Sequence, residues 1–495
     1  MKRIKRLTHY LFILLTVIVL AVNLFAAGAD PDDEPAEGGQ TQQQGTAAQP
    51  ARAAGGDADD NDDGVNPQST ANQPARQQDN AENTAVPEKT LKFSGEFFGD
   101  LSMGLKRPNK FHRQAAQLRF AVEARFMSVQ FYGQIEVAYD TSRENVMLNG
   151  ETITDATRYL RMREVWAEWE TLSDREWFSR FAIKVGRIIY NWGKGDEVRP
   201  SDILNPQDYS NFSFSELNDR KIPVWSLSLD LKIHEAWRWN FIFIPIHHGA
   251  EIPKLGHPYA NPLFAKMEAL GITTFNLSAI EKKLNNSAYA VKTYFKVLDV
   301  DFSIGYFSGY DTVPTTDGLT TQIEMSYKYL RMIAFDFEFV LGGLGWRGEF
   351  AYYGQGKHFY QYSNTSIERK FISSVFGFDK HDLFIKGIYL NIQMIGEFIL
   401  NHGGNNIIAK KTLIGFSMNL SYEILNWKFE IGGVYIIQNK ELMIKPKITW
   451  KVQNDFNIML GVNLVFGKDE YEYSQAKFGM FNHRSFVFMQ LKYSF

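Results

Sequence analysis

Residues 486–495, the last ten of the chain, read FVFMQLKYSF. Counting back from the final phenylalanine, every second residue is apolar or aromatic: Phe495, Tyr493, Leu491, Met489 and Val487. This interval of two places the five side chains on one face of a β-strand and the residues between them on the other face. The same alternation recurs from Leu91 onward, for example in residues 118–126, 129–139 and 300–306. The folded part of the chain is therefore predicted to be all-β.

The length of these segments indicates a membrane barrel. Each holds about 10–14 residues, which suits a tilted strand that crosses a bilayer, whereas strands of a soluble sandwich more often have five or six. Aromatic residues make up 15% of the chain, and the mean hydropathy is slightly negative. Because lipid-facing and lumen-facing residues alternate, hydropathy averages out in such strands. We predict a transmembrane antiparallel up-and-down β-barrel over residues 91–495.

The lengths of the links give the strand number. Long links are expected on the extracellular side and short turns on the periplasmic side, with both termini periplasmic. Reading residues 320–341 as one long strand, followed by a turn at residues 342–345, keeps long and short links in alternation. The count is then 18 strands, within a range of 16–18. Long links are expected at 106–113, 141–157, 188–221, 248–286, 311–319 and 356–368. Inward side chains are expected to meet water or a plug, so no hydrophobic core is predicted.

The N-terminal region is predicted to lie outside the barrel. Residues 1–29 have a basic start, an apolar stretch and an Ala-Gly-Ala site, which is typical of a cleavable signal peptide; an uncleaved anchor is the alternative. Residues 30–90 carry 13 acidic and three basic residues and are rich in glutamine. This composition predicts a disordered periplasmic linker. The acidic residues 57–63 lack the spacing of a calcium loop. The chain has no cysteine, which excludes disulfides and thiolate metal sites.

The C-terminal alternation also resembles the terminal signal that outer-membrane assembly machinery recognises in barrels. The residues concerned are Met489, Leu491, Tyr493 and Phe495. The resemblance implies the barrel assembly machinery and periplasmic chaperones as partners, and an integral position in the bacterial outer membrane. The alternative is an ordinary amphipathic strand that ends the protein.

The third long link, residues 188–221, has the most unusual sequence. It includes or adjoins Gly186-Arg187, Trp192-Gly193 and Asn205-Pro206-Gln207-Asp208, a pattern that resembles an outer-membrane porin-like family. In general porins the third loop folds into the lumen, so the resemblance implies a channel narrowed by this loop. Candidate constriction residues are Arg187, Lys194, Asp196, Glu197, Arg199 and Asp202. In the alternative interpretation, the Asn-Pro and Asp208 shape a loop and Trp192 packs at a membrane interface.

Charged residues of neighbouring strands are predicted to face the lumen. A charged side chain costs about 2–4 kcal/mol at the lipid midplane, so the parity opposite to the apolar residues should point inward. The candidate lumen-wall residues are Arg119, Glu123, Arg125, Glu136, Arg161, Arg163, Arg180 and Lys184. Two interpretations remain open, since such a row can favour anions or can simply brace the wall.

The sequence contains no motif for catalysis. Nucleotide-binding, zinc-protease and serine-hydrolase motifs are absent in a suitable context, so no enzyme activity and no cofactor are expected. His247, His248, Glu251 and His257 are residue types that can bind a metal, but they lie in a predicted surface link and no metal is expected. The weak net charge of the barrel region does not favour nucleic-acid binding.

These observations favour a porin-like channel for passive diffusion of small polar or anionic solutes. Its expected surroundings are outer-membrane lipid and lipopolysaccharide, and a homotrimer is possible by analogy with porins of 16 or 18 strands. Two alternatives remain. One is a plugged barrel that acts as a surface adhesin or structural envelope protein, and the other is a transporter of hydrophobic substrates.

Overall fold

The computed structural model describes residues 89–105, 111–148, 151–175, 178–196, 198–212, 216–254, 257, 259–260, 271–272, 275–319, 322–361, 366–404, 407, 409–467 and 477–495. The predicted signal peptide and nearly all of the predicted linker lie outside these residues. Within the described part of the chain, no helix is both long enough and apolar enough to cross a membrane.

The described residues form 26 strands. In chain order they are β1 (Thr90–Gly104), β2 (Phe111–Phe126), β3 (Val129–Asp140), β4 (Glu144–Leu148), β5 (Glu151–Asp155), β6 (Arg158–Arg175), β7 (Phe178–Ile188), β8 (Val224–His234), β9 (Trp237–Ile244), β10 (Ile252–Pro253), β11 (Phe275–Ser278), β12 (Ala288–Val297), β13 (Val300–Tyr310), β14 (Thr315–Leu319), β15 (Ile323–Ser326), β16 (Tyr329–Leu341), β17 (Leu344–Gln355), β18 (His358–Tyr360), β19 (Ser366–Glu368), β20 (Phe371–His381), β21 (Ile388–Ile399), β22 (Thr412–Ile424), β23 (Trp427–Ile436), β24 (Glu441–Gln453), β25 (Phe456–Phe466) and β26 (Phe486–Ser494). One short helix, α1 (Leu217–Arg220), and 3₁₀ turns at Thr141–Arg143, Leu284–Asn286 and Gly479–Phe481 accompany them.

Eighteen of these strands form one closed antiparallel barrel, which confirms the predicted fold class and strand number. Their order around the barrel is β1, β2, β3, β6, β7, β8, β9, β12, β13, β16, β17, β20, β21, β22, β23, β24, β25 and β26. The last strand pairs with the first from Glu96↔Ser494 to Gly104↔Phe486. Each barrel strand therefore pairs with a neighbouring strand on both sides, and no strand is left at the edge of the sheet, as burial in lipid requires.

The remaining eight strands belong to the long links, all of which lie at one end of the barrel. We call this the loop end, and the opposite end, with its short turns, the turn end. The prediction of one strand over residues 320–341 is wrong: β16 begins at Tyr329, and β15 belongs to a small sheet with β11 and β14. In the structure, the buried apolar residues change parity between Tyr327 and Leu330, where β15 and β16 are separated.

The outer face of the barrel is apolar. Large side chains at alternate strand positions remain exposed, among them Phe93 and Leu160 (each 72% exposed) and Val185 (54%). Tryptophans gather near the turn end, where Trp427 and Trp450 stack with ring centroids 5.6 Å apart. An apolar belt edged by aromatic residues is typical of a barrel whose outer surface meets lipid. The outward residues at the C-terminus include Met489, Tyr493 and Phe495.

The inside of the barrel contains apolar clusters, so the expectation of no hydrophobic core is wrong. One cluster joins Val198 and Phe212 of the link 189–223 to wall residues of β20 to β25, including Ile395, Val434 and Met443. A second joins Trp192 and Leu204 of the same link to residues of β8, β9, β12, β13, β16 and β17. The inward positions of these strands are apolar where a loop packs against them and polar elsewhere.

The C-terminal residue packs over a glycine of the first strand. Phe495 N donates to Gly95 O at 2.9 Å and Gly95 N to Phe495 O at 2.7 Å. A Cβ atom at Gly95 would lie 2.2 Å from the Phe495 ring. We expect Gly95→Leu to displace this ring and lower the fraction of folded barrel in a heat-modifiable gel assay. Gly133→Leu, at an outward position with no atom within 4 Å of its Cβ, is the control and should fold normally.

Candidate functional site

The two ends of the link 189–223 are held together by one asparagine where the link enters the lumen. We call this point the neck. Asn205 Nδ2 donates to Ile188 O and to Ile222 O, at 3.0 Å each, and Asn205 Oδ1 accepts from Tyr190 N at 2.7 Å. These bonds tie the end of β7 to the residues before β8. We call the link the inward loop. The Asn-Pro of the sequence pattern therefore fixes the geometry of the loop.

A buried ion pair lies beside the neck. Lys221 Nζ donates to Asp202 Oδ2 at 2.6 Å, and both side chains are almost fully buried. The same ammonium group donates to Tyr190 O and to Asn191 Oδ1. Breaking one partner of such a pair is costly because the other charge stays buried. Asp202, a predicted constriction residue, is therefore a structural anchor of the loop.

Trp192 and Gly193 position the loop against the inner faces of β12, β13 and β17. Trp192 is 2% exposed and packs inside the barrel near Gly305 and Lys292, so its alternative placement at a membrane interface is wrong. Gly193 has φ +95°, and a Cβ atom there would lie 2.5 Å from a Glu349 carboxylate oxygen. Only glycine combines this conformation with such a close approach.

The carboxylate of Glu349, on the inner face of β17, is the main attachment point of the loop. It accepts from Lys194 N at 2.9 Å, from Gly195 N at 3.0 Å, and from Ser201 N and Oγ at 2.6 and 2.7 Å. Glu349 is 3% exposed. Four donors around a carboxylate form strong charge-assisted bonds. This cradle fixes the loop at a wall strand that lies five strands from β8.

A second attachment is made by Asp196. Its carboxylate pairs with Arg347 Nη1 at 3.0 Å and accepts from Asn391 Nδ2 at 2.7 Å and Gln393 Nε2 at 2.9 Å. Lys194 Nζ also reaches Glu338 Oε2 at 2.7 Å. The loop thus bonds to the inner faces of β16, β17 and β21.

The structure brings together most of the predicted constriction residues. Lys194, Asp196, Arg199 and Asp202 all belong to the inward loop, and Arg199 Nε donates to Gly195 O at 2.6 Å. Arg187 is separate: it lies at the end of β7 on the outward parity of Val185, and its guanidinium donates to Met162 O and Pro223 O. Glu197 lies outside the described residues.

Four predicted wall residues form one charge cluster on the inner face of β2, β3 and β6. Glu136 is fully buried, and its carboxylate pairs with Arg119 Nε at 2.6 Å, Arg161 Nε at 2.8 Å and Arg163 Nη1 at 3.7 Å. Arg119 also reaches Asp219 of α1 at 2.7 Å. The cluster therefore joins the wall to the inward loop.

The other four predicted wall residues lie nearer the turn end. Arg180 and Lys184 both reach Glu168, each at 2.9 Å. Arg125 pairs with Glu170 at 3.1 Å, and Glu123 accepts from Gln130 at 2.9 Å. They share one wall but do not contact the inward loop among the described residues. Their arrangement fits bracing of the wall as well as an effect on passing ions.

A carboxyl pair joins the inward loop to the link that follows β9. Asp208 and Glu251 both bind Arg143, and backbone bonds run from Tyr209 N to Glu251 O (2.9 Å) and from Glu251 N to Gln207 O (3.0 Å). Burial and the neighbouring Asp208 raise the pKa of Glu251 to about 7. Burial alone would raise the pKa of Asp208, but Arg143 and Arg161 outweigh it and hold this pKa low.

The histidines of this region make separate contacts. His247 Nε2 bonds to Asp311 O, His248 Nδ1 to Gly249 O and His257 Nε2 to Ser142 O. Burial lowers the pKa of each. Among the described residues, no group of three or more metal-binding side chains is close enough together to hold an ion.

The pairing of these two loops is expected to depend on pH. Between pH 4.5 and about 7, Glu251 binds a proton more readily in the folded than in the unfolded state, so its contribution to stability is lost as pH rises through this window. Asp208 acts in the opposite direction, but its contribution is complete above pH 3.8. We expect the amides of Tyr209 and Glu251 to be at least about tenfold better protected from hydrogen exchange at pH 5 than at pH 8, after correction for intrinsic rates. Glu251→Gln should remove this difference.

Sequence reasoning missed the residues that receive the loop. Glu338, Arg347, Glu349, Asn391 and Gln393 have the inward parity of their strands, which the alternation could have indicated. They are separated from their loop partners by more than 140 residues. Parity gives the direction of a side chain but does not say which inward residues meet the loop.

The sequence matches one protein family, and the structure is similar to several solved β-barrel structures. The family described as "Protein of unknown function (DUF1302)" matches residues 13–403. No curated protein matches the sequence. Similar solved structures include OccAB1 of Acinetobacter baumannii, at 9% identity over 82% of this chain and 96% of that chain, with a TM-score of 0.47. OccK2 (OpdF) of Pseudomonas aeruginosa in complex with glucuronate has 10% identity, coverage of 82% and 97%, and a TM-score of 0.44. The outer membrane channel DcaP of Acinetobacter baumannii has 12% identity, coverage of 82% and 97%, and a TM-score of 0.40.

Proposed function

The chain belongs to the family described as "Protein of unknown function (DUF1302)", and we propose that it is a porin-like channel of the bacterial outer membrane for passive diffusion of small polar or anionic solutes. The inward loop sets the aperture. Neither a cofactor nor a catalytic step is part of this function.

The observation that carries the proposal is the attachment of the loop to the inner face of β17, five strands away from β8. A loop that only covered the mouth would bond to neighbouring links, whereas this one places Lys194, Gly195 and Ser201 on Glu349 inside the barrel. A loop fixed in this way narrows the lumen at a defined depth. Pore-lining charges beside such a narrowing act on the passing ion at short range.

The charges beside the loop support a preference for anions. Arg119, Arg161 and Arg163 surround a single carboxylate, Glu136, on the wall that faces α1. Asp219 adds a second carboxylate to this group. Glu96 is a third carboxylate, which pairs with Arg119 at 3.2 Å and with Lys492 at 3.1 Å. The four cations of this group therefore exceed its three carboxylates by one charge. A local positive excess raises the concentration of anions at a pore wall.

The proposed placement in the envelope follows from the two ends of the barrel. The turn end, with both termini of the barrel, faces the periplasm, and the loop end faces outward. Residues 1–29 act as a signal peptide and residues 30–90 as a periplasmic linker. The outward face of β26, with Met489, Leu491, Tyr493 and Phe495, serves recognition by the barrel assembly machinery. Periplasmic chaperones, lipopolysaccharide and a homotrimeric state complete the proposed partners.

Ion conduction across a planar bilayer tests the proposed channel. The refolded full chain should give discrete open steps, and in a salt gradient its reversal potential should have the sign of anion preference. Lys194→Glu, which reverses a charge on the loop, should shift that potential toward cations. A properly folded barrel that gives no steps would reject the channel.

A plugged barrel is the second candidate, and the apolar packing of the loop favours it. Phe212 of the inward loop contacts Phe481 of the last long link, with ring centroids 4.7 Å apart. Tyr259 stacks on Phe212, with ring centroids 6.0 Å apart. A surface adhesin or structural envelope protein needs such a filled lumen. Liposome swelling separates the two: a channel admits small sugars or acids at rates that depend on size, whereas a plugged barrel leaves the osmotic response unchanged.

A further inference from the structure

The ladder between β6 and β7 stops before β6 does. Its last pair toward the loop end is Val165↔Arg187. Residues 158–164 of β6 continue to pair with β3 but have no strand partner on the other side in the described part of the chain. Side chains bridge this gap: Arg187 Nη1 donates to Met162 O at 2.8 Å, and Glu164 Oε1 accepts from Ile189 N at 3.0 Å. The barrel wall is therefore open between strands at this height.

A cavity of about 180 Å³ lies at this gap. Its lining includes Arg143, Arg161, Arg163, Arg187, His248 and a single acidic residue, Glu251. Pockets that enclose whole drug-sized ligands hold roughly 300–1,000 Å³. A cavity of this size therefore suits a small ion or the charged end of a larger molecule.

The positive charge of the cavity is incompletely neutralised. No described carboxylate lies within ion-pair distance of Arg187, whose guanidinium bonds only to backbone carbonyl groups in the described chain. Arg143 Nε has no hydrogen-bond acceptor among the described residues. Arg143 and Arg161 also lie over the ring of Tyr159, at 4.7 and 4.9 Å from its centroid, which fixes both guanidinium groups beside the cavity.

We propose that this cavity is a binding site for an oxyanion, the carboxylate or phosphate group of a small molecule. Guanidinium groups match both groups with paired hydrogen bonds, and several fixed guanidinium groups around one space favour a planar or tetrahedral oxyanion over chloride. The inference deepens the proposed function, since a solute would meet the site at the loop end of the lumen. Binding itself requires no conduction.

The oxyanion site is tested by calorimetric titration of the purified full chain in detergent. The probes are succinate, inorganic phosphate and a short-chain phosphatidic acid, with sodium chloride at equal ionic strength as the reference. The protein should bind at least one oxyanion saturably and chloride not at all. Binding of the free ions identifies a soluble solute, and binding of the lipid alone identifies a headgroup.

Two variants locate the site. Arg161→Gln and Arg187→Gln should each weaken binding at least about tenfold, because each removes a charged donor from the lining. Arg161→Gln should fold, since Glu136 keeps its ion pairs with Arg119 and Arg163. If Arg187→Gln disrupts the pairing between β6 and β7 and does not fold, the affinity of Arg161→Gln alone tests the site. Arg158→Gln, an exposed residue on β6 near the same end, should bind as the unmodified chain does.

The proposal is overturned if no probe binds saturably, or if Arg161→Gln binds with unchanged affinity. Its failure is distinct from that of the proposed channel. A barrel that conducts without saturable binding rejects only the oxyanion site. A barrel that binds the anion but remains silent in a bilayer rejects only the channel.

Discussion

Glu349→Ala is expected to raise the single-channel conductance at least about twofold. The substitution removes the carboxylate that accepts four hydrogen bonds from Lys194, Gly195 and Ser201. Hydrogen bonds to a charged group contribute about 1.5–3 kcal/mol each, and the donors left behind lose their partner inside the barrel. The loop should then leave the wall and widen the lumen. The measurement is the step size in a planar bilayer at fixed salt concentration.

Glu423→Ala provides the control for this experiment. Glu423 also faces the lumen and pairs with Lys451 at 2.5 Å, but it lies at the turn end, away from the inward loop. Its variant should conduct as the unmodified chain does. If Glu349→Ala gives the same step size as Glu423→Ala, attachment of the loop does not limit the current, and the aperture must lie elsewhere.

Glu136→Gln is expected to lower the stability of the barrel strongly. Glutamine keeps the volume of the side chain but leaves Arg119, Arg161 and Arg163 without their shared carboxylate. Removing one partner of a buried ion pair costs about 3–5 kcal/mol because the remaining charge is uncompensated. The variant should convert from the fast-migrating folded form to the unfolded form at a clearly lower temperature in a heat-modifiable gel.

Glu123→Gln is the matched change for comparison. Glu123 is an inward carboxylate of the neighbouring strand β2 and accepts one hydrogen bond from Gln130. Its loss should leave the transition temperature almost unchanged. Equal temperatures for the two variants would show that the arginines of β2 and β6 do not need Glu136, and the cluster would then be a row of solvated charges.

The sequence allows the barrel itself to be predicted because two independent signals agree. Alternation marks each strand, and the long and short links fix its direction, so an error in one is detected by the other. The prediction of a single strand over residues 320–341 was wrong because it depended on link lengths. Apolar or aromatic residues continue at odd positions from Ile323 to Leu341 except at Arg331, so alternation also fits a single strand. The change of parity between Tyr327 and Leu330 is a change in burial that only the structure shows.

The candidate site could be predicted only in part. The composition and position of the inward loop identified Lys194 and Asp196, but their partners Glu338 and Arg347 lie about 150 residues away. Inward charges occur on most strands of such a barrel, and nothing in the sequence marks those that contact a loop. The apolar clusters inside the barrel were not predicted for a related reason, since inward parity indicates contact with water or a plug and does not distinguish between them.

Cross-linking with a water-soluble carbodiimide tests the attachment of the inward loop inside the barrel most directly. The reagent joins amines to carboxylates in contact, and Lys194 Nζ lies 2.7 Å from Glu338 Oε2 with both side chains partly accessible. The folded barrel should yield a linked Lys194–Glu338 peptide by mass spectrometry. That peptide should be lost in Lys194→Arg and after unfolding in urea. Lys451 and Glu423, 2.5 Å apart, are the positive control. A folded sample that links the control pair but never Lys194 to Glu338 would contradict a loop fixed to the inner face of β16 and β17.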